Sequence, residues 1–533
     1  MTGRKMVMGT KTVVTSAHYL ATQTGMKILQ QGGNAFDAAI AVNAVLGVTQ
    51  PHMCGFGGDG FLLLYVAKEK KVHSVNCSGT APAKATREYF RSKGYTDIPK
   101  RGLYPVLIPG IVHGWLTCHE KYGRLKLPQI FEPAIEYAEE GFPISEQVCG
   151  WIDQLQDDLI QFPSTSEIFL NGGRVPEPGS LLRQHDLART YQSIAKDGKE
   201  AFYRGRIAEA IVATSKSYDG LIEARDLAEY HSLWEEPVKS SYRDTTIYVS
   251  QPNSSSWTLC LELNMANLLD LASFTNESPD YHHYLVEIVK KAYLERNRYN
   301  TDPRFVPVPL DRILSPENAA KLFAKIDGKR AHRFQENSRF NRGDTTYFTV
   351  TDREGNIASS IQSIYFGFGS GIVAKGTGLV LTNRGAYFSL EDNHVNRLDP
   401  NKRTAHTLCA CMVFKGDRPS ISIGTMGGDG QPQSLLQLLT KIMDLKMNVQ
   451  EAIESPRWLY GSVFRDAPEH NLNMESRFPK DLVEEMVRRS HSVKRMDDWT
   501  YHVGHAQGIV FNQETGVIMG GADPRGDGIA LAW

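Results

Sequence analysis

Apolar positions along this chain alternate between helical and strand spacing. Residues 16–49 carry a helical period broken at Gly32-Gly33-Asn34, so two helices are predicted, the second from Ala35 to Val48. That second helix is apolar on nearly every side and spans about four turns, which marks a buried packing helix too short to cross a bilayer. The run PHMCGFGGDGFLLLYV then reads as a glycine-rich turn entering a strand at 61–66, with 71–76 as its hairpin partner. Helical spacing returns at 128–141 and at 283–297, where Leu285, Ile288, Val289 and Tyr293 share one face.

The pattern fails at 328–344, GKRAHRFQENSRFNRGD. This stretch is polar, has no apolar period and carries Lys329, Arg330, Arg333, Arg339 and Arg342. A loop of that length is uncommon inside a compact protein and tends to be functional or to be a solvated connector. Strand spacing follows it at once. TTYFTVTD and NIASSIQSIYF, joined by REG, form a hairpin signal. Thr345, Tyr347 and Thr349 fall on one face of the first strand, and Thr346, Phe348 and Val350 on the other. Further strands are predicted around 378–383, just before Arg384-Gly385, and at 407–414 and 420–424. GTMGGDG then opens a helix at 431–445 with Leu435, Leu436, Leu438, Leu439 and Ile442 on a broad apolar face. No internal repeat is present.

Composition narrows the function classes. The 533 residues hold 59 Lys+Arg against 60 Asp+Glu, a formal charge of −1 that leaves no electrostatic footprint for nucleic acid. Charged residues at 22% and hydrophobic residues at 41% are ordinary for a globular protein, and no apolar run is long enough for a membrane span. Length alone suggests about three domains. The seven cysteines are scattered, with Cys409 and Cys411 as a C-x-C pair, which fits a reducing compartment. The first residues are basic without an apolar stretch behind them, unlike a secretory signal, and a cytoplasmic location is expected.

Several chemistries fail on spacing. His282 and His283 are adjacent and so diverge on a helix, and no metal-ligand spacing occurs, so no metal is expected. GFGGDG at 55–60 lacks the G-K-[ST] of a phosphate loop and reads as a tight structural turn. No G-x-S-x-G elbow exists, and no cysteine has a base beside it in sequence. There remains the threonine that ends the basic loop. A hydroxyl nucleophile needs a base. A threonine with a free α-amine carries one on its own backbone. Freeing that amine requires the Asp344–Thr345 bond to break, through attack of the hydroxyl on the preceding carbonyl and hydrolysis of the resulting ester. As a bare pattern, Thr-Thr at a strand start equally reflects β propensity.

The run GDTTYFTVTDREGNIASSIQSIYFGFGSGIVAKGTGLVLTNRGAYFSL resembles the start of the small subunit in the γ-glutamyltransferase (glutathione hydrolase) family of N-terminal-nucleophile hydrolases. GGNAFDAAIAVNAVLGVTQPHMCGFGGDGF, SGTAPAKAT and PGIVHGW extend the resemblance upstream; NKRTAHTL, GTMGGDGQPQ, EAIESPRW and GADPRGDG extend it downstream. It implies an α+β fold, the four-layer αββα sandwich. It implies Thr345 as nucleophile and general base, a large subunit 1–344 and a small subunit 345–533 cut between Asp344 and Thr345, and a homodimer of that pair as a further assembly. Ser363 matches the family's second hydroxyl, and Gly427-Gly428 match the glycine pair whose amides form the oxyanion hole. No cofactor is implied.

The departures concern the substrate. Where the family places an arginine for an α-carboxylate, this chain has Ser78; an asparagine becomes Tyr365, an aspartate for the α-amine becomes Tyr387, and a serine pair becomes His406-Thr407. These substitutions resemble a branch of glutathione-hydrolase-like, cephalosporin-acylase-like and oxamate-amidohydrolase-like proteins. Arg384 stands at a family glutamine and is expected to bind a substrate carboxylate beside His406, or else to hold the turn before Gly385. Three readings follow: an autoprocessing hydrolase or acyltransferase of a γ-glutamyl or similar small amide, a small-amide acylase without γ-glutamyl activity, and a silent, uncleaved metabolite-binding member.

Overall fold

The computed structural model describes residues 3–332, 343–461 and 470–533. Among the described residues fourteen strands build two seven-stranded sheets. In chain order they are Val7–Gly9 (β1), Val13–Ser16 (β2), Asp59–Val66 (β3), Lys71–Asn76 (β4), Leu233–Glu235 (β5), Val238–Tyr242 (β6), Thr245–Val249 (β7), Asp344–Thr351 (β8), Ile357–Tyr365 (β9), Ala410–Lys415 (β10), Arg418–Thr425 (β11), Ala506–Phe511 (β12), Ile518–Ala522 (β13) and Ile529–Ala532 (β14). One sheet runs β1-β13-β12-β11-β10-β7-β6 and the other β14-β2-β8-β9-β3-β4-β5. Neighbours within both sheets are antiparallel.

Alternation along the strands separates three packed layers. Phe348, Val350, Leu62 and Leu64 face a core built with the helices Tyr19–Gln30 (α1), Ala35–Thr49 (α2), Ile111–Tyr122 (α3), Leu127–Glu140 (α4) and His185–Tyr203 (α5). Cys411, Val413, Ile421 and Ile423 face the helices Trp257–Ala266 (α6), Pro279–Tyr299 (α7) and Gln431–Met443 (α8). Between the sheets, Phe61, Tyr347, Ile361, Leu408 and Ala410 interlock. Polar pairs cross the same layer, with Thr349 Oγ1 and Ser422 Oγ 2.8 Å apart. This is the αββα sandwich, and the expected face of Tyr347 and Thr349 is its inter-sheet face.

The helix pair at the N-terminus forms as the pattern predicts. Gly32 takes φ 92°, and Asn34 caps α2 by accepting from the Phe36 and Asp37 N–H groups while Asp37 closes a capping box. All 15 residues of α2 are buried. The strand expected over 378–383 shrinks to Leu379–Val380, paired only with Val373–Ala374. Gly376 and Gly378 adopt φ 74° and 69° and curl the chain, and the amides of Leu381, Thr382 and Asn383 bond to Ile372, Gly57 and Ile364 carbonyls instead of a ladder. In the basic segment, Arg333, Arg339 and Arg342 lie outside the described residues. Among the described residues no helix is long and apolar enough to cross a membrane, and no group of three or more His, Cys, Asp or Glu is arranged to hold a metal ion.

Candidate active site

Thr345 stands opposite a β-bulge. The β8–β9 register passes from Asp344↔Tyr365 to Thr346↔Gln362, so Ser363 and Ile364 together oppose Thr345 and the extra residue lies on β9. A bulge re-aims one side chain out of the regular pleat. Thr345 is buried, and its Oγ1 accepts from Gln431 Nε2 at 3.4 Å. Gln431 is the first residue of α8, and its Oε1 accepts the Cys409 N–H at 2.7 Å, which fixes the amide's orientation and turns the NH2 toward the threonine.

Ser363, near the end of β9, touches the bond ahead of Thr345. Its Oγ donates to the Asp344 carbonyl and accepts the Tyr365 N–H at 2.7 Å. Tyr365 makes that contact at φ 80°, a conformation that an aromatic residue adopts only at a cost on the order of 1–3 kcal/mol. Opposite lies the glycine turn. Gly427 and Gly428 have φ 129° and 55° and lead through a short 3₁₀ turn into α8. A Cβ built at Gly343 would lie 3.6 Å from Gly428 Cα and 3.2 Å from the Tyr365 ring. The residue before Asp344 is therefore wedged between the two.

A charged group of side chains lies beneath Tyr365. Arg384 is fully buried, with its guanidinium 4.2 Å from the centre of the Tyr365 ring. Its Nη1 donates to Thr407 Oγ1 at 3.2 Å, while Nε and Nη2 have no partner among the described residues. Burial pulls its pKa below the usual guanidinium value, and Asp59 pushes back. His406 Nε2 lies 3.1 Å from Asp59 Oδ2, and His406 Nδ1 accepts the Leu408 N–H at 3.4 Å. That pattern puts the proton on Nε2. Burial, then the charge of Arg384, pushes His406 down to about 4, so it is neutral at neutral pH. Burial raises the Asp59 carboxyl, but His406, Arg384 and the Gly79 N–H at 3.2 Å together hold it below its ordinary value. Asp59 Oδ1 has no partner among the described residues.

The other expected positions divide. Tyr387 is half-buried, its ring 5.9 Å from that of Tyr365 and its hydroxyl 3.5 Å from Asp429 Oδ1. Asp429 is itself held by Arg296 Nη1 at 2.7 Å. Ser78 sits one step back, its Oγ bonded to Asn76 Oδ1 at 2.6 Å and to Asn253 Nδ2 at 3.1 Å. It reaches the centre through its neighbour Gly79, which binds Asp59. Thus Thr345, Ser363, Gly428, Tyr365, Arg384, His406, Thr407 and Tyr387 form one connected cluster, and Ser78 supports it from outside. His282 and His283 are core histidines, bonded to Asn276 O and Trp458 Nε1, and to His491 and Asp327 O. Asp59 and Gln431 were not among the expected site residues. GFGGDG is a tight turn, since a Cβ at Gly57 would meet Val380 O at 2.1 Å, but it also delivers a carboxylate to the site. The signal was an acidic residue among glycines at the mouth of an apolar strand.

A family model described as Gamma-glutamyltranspeptidase matches residues 21–533. A glutathione hydrolase-like proenzyme (YwrD) of Bacillus subtilis (strain 168) is 41% identical over 99% of both chains. An oxamate amidohydrolase proenzyme of Klebsiella pneumoniae is 33% identical over 99% of both chains. Among solved structures, a cephalosporin acylase from Bacillus halodurans superposes with a TM-score of 0.93 at 34% identity, covering 100% of this chain and 98% of the acylase.

Proposed function

The chain belongs to the gamma-glutamyltranspeptidase family, and from that premise we propose that it is an autoprocessing N-terminal-nucleophile enzyme acting on small amides whose acyl part carries a carboxylate. The precursor is cut between Asp344 and Thr345. Thr345 Oγ1 attacks the Asp344 carbonyl carbon, the Thr345 nitrogen leaves, and an ester joins the two residues. Water hydrolyses the ester, leaving an Asp344 carboxylate on a large piece, 1–344, and a free threonine amine and hydroxyl on a small one, 345–533. In turnover the amine takes the hydroxyl proton as Oγ1 attacks the substrate amide, then hands it to the leaving nitrogen. The Gly427 and Gly428 amides receive the oxyanion charge, each donor being worth about 3 kcal/mol. Water or an acceptor amine then takes the acyl group.

The observation that carries this reading is the Ser363 hydroxyl, in the bulge of β9, donating to the Asp344 carbonyl with Thr345 directly after that carbonyl. A carbonyl so polarised, next to a hydroxyl, is the arrangement an intramolecular acyl shift needs. For the substrate, the Arg384 donors that have no partner among the described residues support a carboxylate. Ser78, Tyr365 and Tyr387 supply no charged partner for an amino-acid head, which favours oxamate-like or glutaryl amides over glutathione. A relative that bears the name oxamate amidohydrolase supports the same choice. We place the enzyme in the cytoplasm, since all seven cysteines are free and buried.

Intact mass spectrometry of the purified protein tests the cut. Two chains whose masses match 1–344 and 345–533 are expected, and native mass reports whether that pair doubles. Hydrolysis assays with oxamate, a glutaryl amide and glutathione then rank the acyl groups. A single full-length chain without activity would instead favour a silent family member.

A further inference from the structure

The turn carrying Gly427 and Gly428 is rich in the residue least able to hold its own backbone, so something outside must fix it. On one side Arg296 grips Asp429. On the other, the turn leans on Gly504, whose Cα lies 3.7 Å from a Cβ built at Gly427. Gly504 has φ 90°, and a Cβ there would fall 2.4 Å from both Met426 O and Thr425 Oγ1. The segment around 504 therefore presses against the two residues that enter the turn.

That segment is anchored by buried charge. Arg457 Nη2 donates at 2.6 Å to the Gly504 carbonyl and at 2.6 Å to Asp523 Oδ2. Asp523 Oδ2 also accepts the Ala506 N–H at 2.9 Å, so the Arg457–Asp523 pair holds the backbone at Gly504 and again two residues later. Arg457 is itself located by Nη1 on Ile453 O at 3.2 Å and by its own N–H on Glu475 Oε2 at 2.9 Å. Arg525 completes the lattice, bonding Glu475 through Nε and Nη2 at 2.9 and 2.6 Å and Asp523 Oδ1 through Nη1 at 3.0 Å. The four charged side chains are fully buried. Burial alone raises the Asp523 carboxyl, yet Arg457 and Arg525 hold it well below the usual carboxylate range.

Such a network is an expensive way to stabilise a fold, because apolar residues of equal volume often do as well or better. Its directional bonds do what an apolar core does not: they fix a carbonyl at a defined place. We propose that Arg457 is a positioning residue for the acyl-transfer step, holding Gly504 so that the Gly427 and Gly428 amides stay aimed at the oxyanion. This rests on the reading of those two amides given above. Arg457 touches no substrate, and its effect belongs in kcat, since the oxyanion forms only in the transition state.

The test uses matured enzyme and the best-turned-over amide of the three. Arg457→Lys keeps the charge toward Asp523 but loses the forked geometry that reaches Gly504. It is expected to lower kcat about ten- to hundredfold per mole of small fragment, the scale of a misplacement below 1 Å, with KM within about twofold. Gly504→Ala pushes the same contact from the opposite side, is expected to show the same split, and carries the test should Arg457→Lys not accumulate. If both variants keep wild-type kcat while melting earlier, the network only supports the fold and the proposal is overturned. Gly427→Ala separates the two readings. If it loses kcat while Arg457→Lys and Gly504→Ala do not, only the positioning role fails. If Gly427→Ala keeps kcat, the oxyanion assignment fails first.

Discussion

Arg384→Met sets stability and function against each other. In the folded protein the guanidinium is fully buried, and two of its three nitrogens have no hydrogen-bond partner among the described residues. Desolvating an isolated charge costs several kcal/mol. The return is one hydrogen bond to Thr407, about 1 kcal/mol, and stacking on Tyr365, about 2 kcal/mol in a dry site. The field of Asp59 recovers part of the remainder. Methionine fills a similar volume without the charge, so the expected change in stability lies between neutral and a gain of about 2 kcal/mol. The Asp59 carboxyl, relieved of one cation, rises toward its ordinary value. Function moves the other way. A charge-assisted contact to a substrate carboxylate is worth about 1.5–3 kcal/mol, so KM for oxamate-like or glutaryl amides should rise about 10- to 100-fold. Arg384→Lys should recover part of that. Thermal melts and initial rates on matured enzyme give both numbers. An unchanged KM with a lowered melting temperature would mean that Arg384 holds the turn before Gly385, and the substrate role would be wrong.

Two further outcomes follow from the same geometry. Ser363→Ala removes the donor on the Asp344 carbonyl and the acceptor of the Tyr365 N–H. Maturation should slow about 100- to 1,000-fold, the usual loss for one donor to a developing oxyanion, and a denaturing-gel time course showing wild-type processing contradicts the role. Burial pushes His18, His52 and His282 down to about 3 and, with charges nearby, His406 and His505 to about 4. The unfolded chain protonates these groups near pH 6.5. Between about pH 6.5 and 4 the unfolded state therefore binds more protons, and stability that is fully present above pH 6.5 falls as pH drops through that window. For His406 alone this is worth about 3 kcal/mol. Urea midpoints should decline from pH 7 to pH 5 at constant m-value; a flat midpoint refutes neutral burial of these rings.

What was legible in the chain was what depends on local spacing. α2 announces its burial because it is apolar on every side, and the faces of β8 follow from a period of two. The bulge opposite Thr345 leaves no such trace, since one extra residue near the end of β9 does not disturb the alternation before it. The 378–383 run is apolar enough for a strand, but positive φ at Gly376 and Gly378 turns its amides away from any ladder. The charged lattice behind Gly504 was invisible for another reason. Arg457, Glu475, Asp523 and Arg525 lie in separate stretches of sequence, and each alone reads as an ordinary surface residue. Only the folding of the last strands against the helix Val449–Glu454 brings them together. Asp59 and Arg384 were far apart in the same sense, and only the fold brings Gly79 and His406 onto the one carboxylate whose charge reaches Arg384.

The wedge at Gly343 ties maturation to selectivity. On the reading proposed above, Asp344 presents its carbonyl to Thr345 as a substrate later does, so the precursor's own chain fills the acyl site. That chain fits because it is slim: a Cβ at 343 would already lie 3.2 Å from the Tyr365 ring, tighter than ordinary van der Waals contact. Tyr365 is rigid there, held by its N–H on Ser363 and by Arg384 stacked against its ring. A foreign acyl group entering the same gap meets the same wall. Groups that end before, or stay flat at, the fourth atom from the amide carbonyl carbon, where Gly343 Cα lies in the precursor, should pass, and those carrying a tetrahedral branch there should not. On that reading the gap that admits a glycine-preceded aspartate also limits what is accepted afterwards, and it favours the short oxamate-like and glutaryl amides on steric grounds independent of the Arg384 charge.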